Sequence, residues 1–295
     1  MENQHTKNWY DRYYKIALIL PALVLILSIF YLYNFTQRTG DIIYKDVTLT
    51  GGTTITVFDG EVDLDKVRAD LKINFPDLRV REISDILTGK SSGFSLTTKA
   101  EVGEIRPALE SYLGYELTGE NSSVEFSGAS LSSGFYSQLK YALLLSFLLM
   151  AAVVFVIFRD FVPSFIVVLA AFADIVMTIA VVDMLGIQLS SAGIIAFLML
   201  IGYSVDTDIL LTTRLIRKTE GGTINQRIYD ALKTGMTMTL TSIAAVGVSL
   251  LLIYNFSDTL RQIFTILLIG LGFDIFNTWI SNASLLKWHM EAKKR

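Results

Sequence analysis

The residues best equipped for chemistry in this sequence are four aspartates set in apolar surroundings: Asp174, Asp206, Asp208 and Asp274. The densest stretch is MLIGYSVDTDILLTTR, from Met199 to Arg214. A carboxylate at the centre of a bilayer helix costs about 2.5–3.5 kcal/mol on insertion scales, so acids kept there face a bundle interior or water and handle ions or protons. Asp206 and Asp208 are two residues apart, about 200° around a helix, and cannot serve the same partner. Asp206 shares a face with Gly202, Tyr203 and Leu210, and Asp208 shares one with Ser204 and Thr212. Gly202 is expected to let a neighbouring helix approach. The plainer alternative is that one acid forms an ion pair near the cytoplasmic rim. The chain has no cysteine, and His5 and His289 lie near its ends. Thiol chemistry, a zinc site and histidine catalysis are therefore not expected, nor is any other metal.

Other polar residues extend this pattern. Asp174 and Asp274 fall near the middle of apolar runs, and Gly270, Asn277 and Ser281 share a helix face with Asp274. Lys233, Thr237 and Thr241 repeat every four residues. Stacked against the acids, that stripe would form a hydrogen-bonded interior with Lys233 at its cytoplasmic mouth. Hydroxyls and small residues can also simply hold helices together, and the threonines suit that role. The acids do not, because such packing needs no ionisable group. An apolar setting disfavours the charged form of a carboxyl, which makes an intramembrane acid a candidate proton carrier. The candidate relay comprises Asp206, Asp208, Asp174, Asp274 and Lys233. No glycine-rich phosphate loop is present, and no cofactor is expected.

The elements that must position these residues follow from hydropathy. The 295 residues are 52% hydrophobic, with mean hydropathy +0.49. A polar tail (1–15) precedes an apolar run (16–33) long enough to span about 30 Å of hydrocarbon. Pro21 is expected to kink it, which membrane helices tolerate. Five more spans are expected at about 139–158, 164–185, 192–213, 233–254 and 263–286, within 138–288, followed by a basic tail at 289–295. Between the first two lies a block of soluble character, 34–137. Its apolar alternation predicts strands at 53–58, 78–86, 93–98 and around 124–126, and its four-residue apolar spacing predicts helices at 63–75 and 101–113. The order β-α-β-β-α-β is that of a ferredoxin-like split βαβ unit. The fold class is thus a membrane α-helical bundle of six transmembrane helices with one extracytoplasmic α+β domain. The Ser- and Gly-rich stretch from Gly128 to Gly134 is expected to act as a hinge.

Orientation follows from the lysines and arginines. With the N-terminus inside, the inner segments carry 13 of them, against Arg261 alone in the short outer turns. Both termini are then cytoplasmic and 34–137 is extracytoplasmic. That block holds 16 acids and 10 bases between 34 and 136, scattered as solvated surface with no catalytic constellation. The reading is of a transport protein in the cell membrane rather than an enzyme. Membrane lipid is its surroundings, and no nucleic-acid partner is expected.

Four features of the sequence resemble the SecF branch of the SecD/SecF family, within the resistance-nodulation-division superfamily. Thr50-Gly51-Gly52-Thr53 stands where that family has D-F-x-G-G. Six spans with one large outer domain match its layout. Ile201-Gly202-Tyr203-Ser204-Val205 followed by Arg214 is similar to I-G-Y-S-[LV]-N-D-T…R in the fourth span. Thr234 to Thr241 matches the R-T-x-x-T-S-x-T-T region. The departures resemble the archaeal branch. The family's N-D-T is Asp206-Thr207-Asp208, so its essential acid aligns with Thr207. The fifth-span arginine aligns with Lys233, the D-F-x-G-G aspartate with Thr48, and a third-span His-Asp with Ala173-Asp174. The resemblance implies a subunit that works with SecD beside the Sec translocon channel. It would use proton-motive force to draw exported, unfolded polypeptides outward. Asp206, on the face of Gly202 and Tyr203, is the expected proton carrier. A non-transporting scaffold for SecD and the channel is a second reading, and a small-molecule or lipid exporter subunit a third.

Overall fold

The structure is a computed structural model that describes residues 9–59, 62–84, 91–216, 223–254 and 257–293. The chain enters through α1 (Trp9–Ala17) and α2 (Ile19–Thr39), which part at Leu18. Pro21 has no N–H to give the carbonyl four residues back, so the ladder weakens where the break falls. The helix therefore starts well before residue 16, inside what the sequence presents as a tail.

A one-turn helix, α3 (Val47–Thr50), capped by the Asp46 carboxylate, leads into β1 (Gly52–Val57). Then follow α4 (Leu64–Asn74), β2 (Arg79–Ser84), β3 (Ser91–Thr98), α5 (Val102–Leu113) and β4 (Ser122–Ser127). The end of the strand expected to reach Ile86 lies outside the described residues. The sheet is antiparallel throughout, in the order β2-β3-β1-β4, with Thr53 opposite Thr98 on one side and Phe126 on the other. Its core joins Ile55, Val57, Phe94 and Leu96 of the strands to Val67 and Leu71 of α4 and Ile105 and Leu109 of α5.

The bundle follows: α6 (Ala129–Phe158), α7 (Phe161–Met184), α8 (Ser191–Ile216), α9 (Ile224–Ile253), α10 (Asp258–Phe276), a π-helical turn (Asn277–Asn282) and α11 (Ala283–Ala292). Among the described residues, six helical stretches are long and apolar enough to cross a membrane, taking Asp11–Thr39 as the first and Thr259–Ala292 as the last. The stretch from Gly128 to Gly134 is not a loose hinge. Gly128 alone separates β4 from α6, and Ala129 to Gly134 are its first turns. Side chains cap the helices at their starts: Asp160 opens α7, a Thr223–Gln226 capping box opens α9 and Ser257 opens α10. The surface helix expected after Gly221-Gly222 is continuous with the fifth span in α9, while 217–222 lie outside the described residues.

One short strap ties the sheet domain to the bundle. The Asp46 N–H donates to the Leu189 carbonyl at 2.9 Å, and the Leu189 N–H donates to the Tyr44 carbonyl at 2.6 Å. Tyr44 N–H reaches the Asp183 carboxylate at 3.3 Å, and Ser191 N–H reaches the Thr48 hydroxyl at 3.1 Å. The strap ends at the double glycine. Gly51 has φ 88°, and a Cβ there would stand 2.5 Å from the Ala129 Cα. Gly52 has φ 145°, and a Cβ there would stand 2.4 Å from the Thr98 carbonyl oxygen. Only glycine suits both the backbone angles and the close approach.

Candidate functional site: a buried acid network

Three of the four aspartates meet inside the bundle. Asp174 on α7, Asp208 on α8 and Asp274 on α10 are each fully buried. Asp174 accepts from the Ser204 hydroxyl at 2.5 Å and from the Asn277 amide at 2.6 Å. Asp274 accepts from the Thr207 hydroxyl, whose oxygen lies 3.0 and 3.2 Å from its two oxygens and 2.8 Å from the Ser204 carbonyl. The Thr278 hydroxyl stands between two acids, 2.8 Å from Asp208 Oδ1 and 3.3 Å from Asp274 Oδ1. The Asn282 amide donates to Asp208 Oδ1 at 2.5 Å. Thr278 thus joins Asp208 to Asp274, and Ser204, through its hydroxyl on Asp174 and its carbonyl on Thr207, links that pair to Asp174. Among the described residues no lysine, arginine or histidine pairs with any of them, and no three acids come together as a metal site.

The π-helical turn makes this possible. Its wider winding, with Ala283 N–H bonded to the Thr278 carbonyl, turns Asn277 toward Asp174 and both Thr278 and Asn282 toward Asp208. Such turns are frequent at functional sites. Sequence reasoning placed Asn277 beside Asp274 but missed Thr207, Thr278 and Asn282. The available signal was the polar recurrence at 274, 278 and 282. Ser281 is half-buried and outside the network.

The remaining expected residues lie elsewhere. Asp206 is exposed on the outward side of α8 with Gly202 and Tyr203. Nothing lies within 4 Å of where a Gly202 Cβ would be, so this glycine admits no helix of the same chain. The close-packed glycines of the bundle are Gly193, against Gln262 and Leu189, Gly235, against the Trp279 ring, and Gly270, against Leu200. Lys233, Thr237 and Thr241 do not stack on the acids. They are exposed and line an outward cleft of about 690 Å³ with Arg214, Asp230 and Thr234. The stripe is on the outer face because the buried positions of α9 are Ile228, Ala231, Gly235 and Thr239, one residue or more out of step with it. Ser204 and Asp208 face inward on α8 together with Thr212. Gly51 and Gly52 hold the junction between sheet and bundle.

Outside the membrane spans, the strap carries its own ion cluster. Asp41 pairs with Lys45 at 2.9 Å and accepts from the Tyr136 hydroxyl at 2.9 Å. Burial acts to raise the Asp41 pKa, but hydrogen bonds from Lys45, the Ile42 N–H and Tyr136 outweigh it and hold the carboxyl below its ordinary range.

These features define a class: a multi-pass helical membrane protein with a small sheet domain and acids buried in its bundle. Residues 112–292 match the family described as protein export membrane protein SecD/SecF, C-terminal. Over 285 residues the chain is 36% identical to the protein-export membrane protein SecF of Methanocaldococcus jannaschii, covering 94% of this chain and 96% of that one. It is 38% identical over 280 residues to the SecF of Methanolacinia petrolearia, covering 94% of each. The crystal structure of SecDF from Thermus thermophilus, a translocon-associated membrane protein, superposes with TM-score 0.72 at 20% identity. That match covers 96% of this chain, which spans 38% of the longer SecDF chain. The chain belongs to the SecD/SecF family of protein-export membrane proteins, on its SecF side. Its relatives are named for protein export, not for an enzymatic reaction.

Proposed function

We propose that this chain works with SecD as an accessory subunit of the Sec translocase, using proton-motive force to promote export of unfolded polypeptides beside the translocon channel. The observation that carries the reading is the buried run Asp174–Ser204, Thr207–Asp274–Thr278–Asp208–Asn282. Three uncompensated negative charges are too costly for an apolar interior. Neutrality requires bound protons or a cation, and exchange of that charge alters which hydroxyls and amides each carboxyl can engage. Asp174, Asp208 and Asp274 take the relay role in this reading, while Asp206 and Lys233 belong to the outward face. A charge crossing the membrane field is worth about 2.3 kcal/mol per 100 mV.

A change in spacing between α7 and α8 at the acids would reach their connecting turn, which the strap 44–50 grips, and then β1. In this reading the sheet domain is a ferredoxin-like βαββαβ unit on the extracytoplasmic side, and both termini are cytoplasmic. The outward polar residues Asp206, Arg214, Lys233, Thr237 and Thr241 are poorly suited to lipid, and we assign SecD to that face.

The test is export in cells carrying Asp174→Asn, Asp208→Asn or Asp274→Asn, with SecD co-purification checked for each. Loss of export from an intact complex is expected for at least Asp274→Asn, whose carboxyl shares Thr278 with Asp208. Normal export in all three would favour a scaffold. That alternative has its own support, since every acid in the network is already held by hydroxyl or amide donors.

A further inference from the structure

A second site lies at the end of the bundle where α1 meets α11. A mainly apolar groove of about 430 Å³ opens there, walled by Tyr13, Tyr14 and Ala17 on one side and Trp279, Ile280 and Ser284 on the other. We propose that this groove binds an anionic phospholipid, with the acyl chains along its walls and the phosphate between Arg12 and Lys15.

The charge at its rim supports this occupant. The Arg12 guanidinium sits 5.6 Å from the centre of the Tyr13 ring. Lys15 Nζ sits 5.8 Å from the Tyr14 ring and 5.9 Å from the Trp288 ring. Both cations are exposed, and no acid among the described residues pairs with either. The nearby acids are otherwise engaged. Asp11 is held by Lys287 and Asn225, and Glu291 accepts from the Tyr14 hydroxyl at 2.7 Å. Lys287 is fully buried, and its ammonium lies 4.8 Å from the centre of the Tyr14 ring. This lock holds Tyr14 in place, so the groove wall is formed before any ligand arrives, which lowers the cost of binding. Tyrosine and tryptophan with adjacent cations suit the depth of lipid headgroups, and juxtamembrane basic residues favour anionic lipid.

The chain has three tryptophans, and Trp9→Phe with Trp288→Phe leaves Trp279 as the reporter. The full chain carrying these changes is reconstituted in phosphatidylcholine vesicles with a fraction of tail-brominated lipid, which quenches tryptophan on contact. Brominated phosphatidylglycerol should quench Trp279 at least about twofold more than brominated phosphatidylcholine, a preference weakened by salt through screening. Arg12→Gln with Lys15→Gln, both on the surface, should abolish the preference without altering the melting temperature. Ala17→Phe should fill the groove and reduce quenching by either lipid. Equal quenching by both lipids would reduce the groove to ordinary lipid contact and overturn the proposal. So would absence of quenching by either, which would mean that a protein segment covers it. None of these outcomes depends on export activity.

Discussion

In the sheet domain, Phe94, Leu96, Ile55 and Leu109 are fully buried, while Asp65, Lys66 and Glu104 sit in water. In the bundle the arrangement is turned about. Asp174, Asp208, Asp274, Thr278 and Asn282 occupy the interior, while Leu144, Leu148 and Val156 of α6 point outward. Water drives the first arrangement, because burying apolar area is its main source of stability. Lipid removes that drive, since hydrocarbon is as apolar as leucine, and leaves close packing and hydrogen bonds to hold helices together. The same residue types therefore carry opposite roles on the two sides of Gly51 and Gly52.

The contrast breaks most easily at large apolar residues. Phe94→Ala should cost about 3–5 kcal/mol in the sheet domain. Leu144→Ala should fall within about 0.5 kcal/mol, because lipid fills the space the side chain leaves. Thermal unfolding of the detergent-solubilised chain, followed separately by strand and helix signals, would measure both. A large cost at Leu144 would mean that this face is covered by protein.

The reverse holds for acids. Asp208→Leu strands the Asn282 amide, at about 1–3 kcal/mol for a buried donor left without a partner, while the Thr278 hydroxyl keeps Asp274. Asp65→Leu on the exposed side of α4 should change stability by no more than about 0.5 kcal/mol. Comparable melting temperatures for these two variants would remove the network as a structural element. A smaller effect sharpens the packing side of the comparison. A Cβ on Gly235 would lie 2.4 Å from Trp279 Cζ2, so Gly235→Ala should cost about 1–3 kcal/mol by overpacking. Gly202→Ala, with open space around it, should be silent in the isolated chain and lower SecD co-purification if that face is the contact.

What could be read from the sequence divides along the same line. The strands and helices of the sheet domain lie within a residue or two of their expected positions, because one face of each meets water and apolar periodicity records which. The spans are equally plain as lengths of apolar residues. Which side of a span faces inward is not, because both sides are apolar. The two-residue spacing of Asp206 and Asp208 puts them on opposite faces of α8, yet nothing in their neighbours says that Asp208 points in and Asp206 out. The Lys233, Thr237 and Thr241 stripe failed for the same reason. A 3.6-residue period sets Thr278 beside Asp274, four residues on, but leaves Asn282 about 80° aside, so the π-helical turn was invisible in it. The break at Leu18, by contrast, was announced by Pro21.

The smallest expected effect tests whether a single half-buried hydrogen bond in the sheet domain carries measurable stability. The Tyr115 hydroxyl donates to Asp59 at 2.9 Å. Burial, then the Asp59 carboxylate, pushes the phenol pKa up to about 12. The group is therefore raised above its unfolded value of about 10. The stability it contributes is fully present below that value and is lost as pH climbs through about 12. Tyr115→Phe should destabilise the domain by about 0.5–1.5 kcal/mol at neutral pH. The gap between the two proteins should hold steady up to about pH 10 and close above it, as the parent loses an interaction the variant never had. Melting curves of both proteins across that range would show the convergence. A gap that persists undiminished at high pH would assign the effect to packing of the ring edge instead of the hydrogen bond. The Tyr115 contact would then count with the apolar core of the domain, and not with its hydrogen bonds.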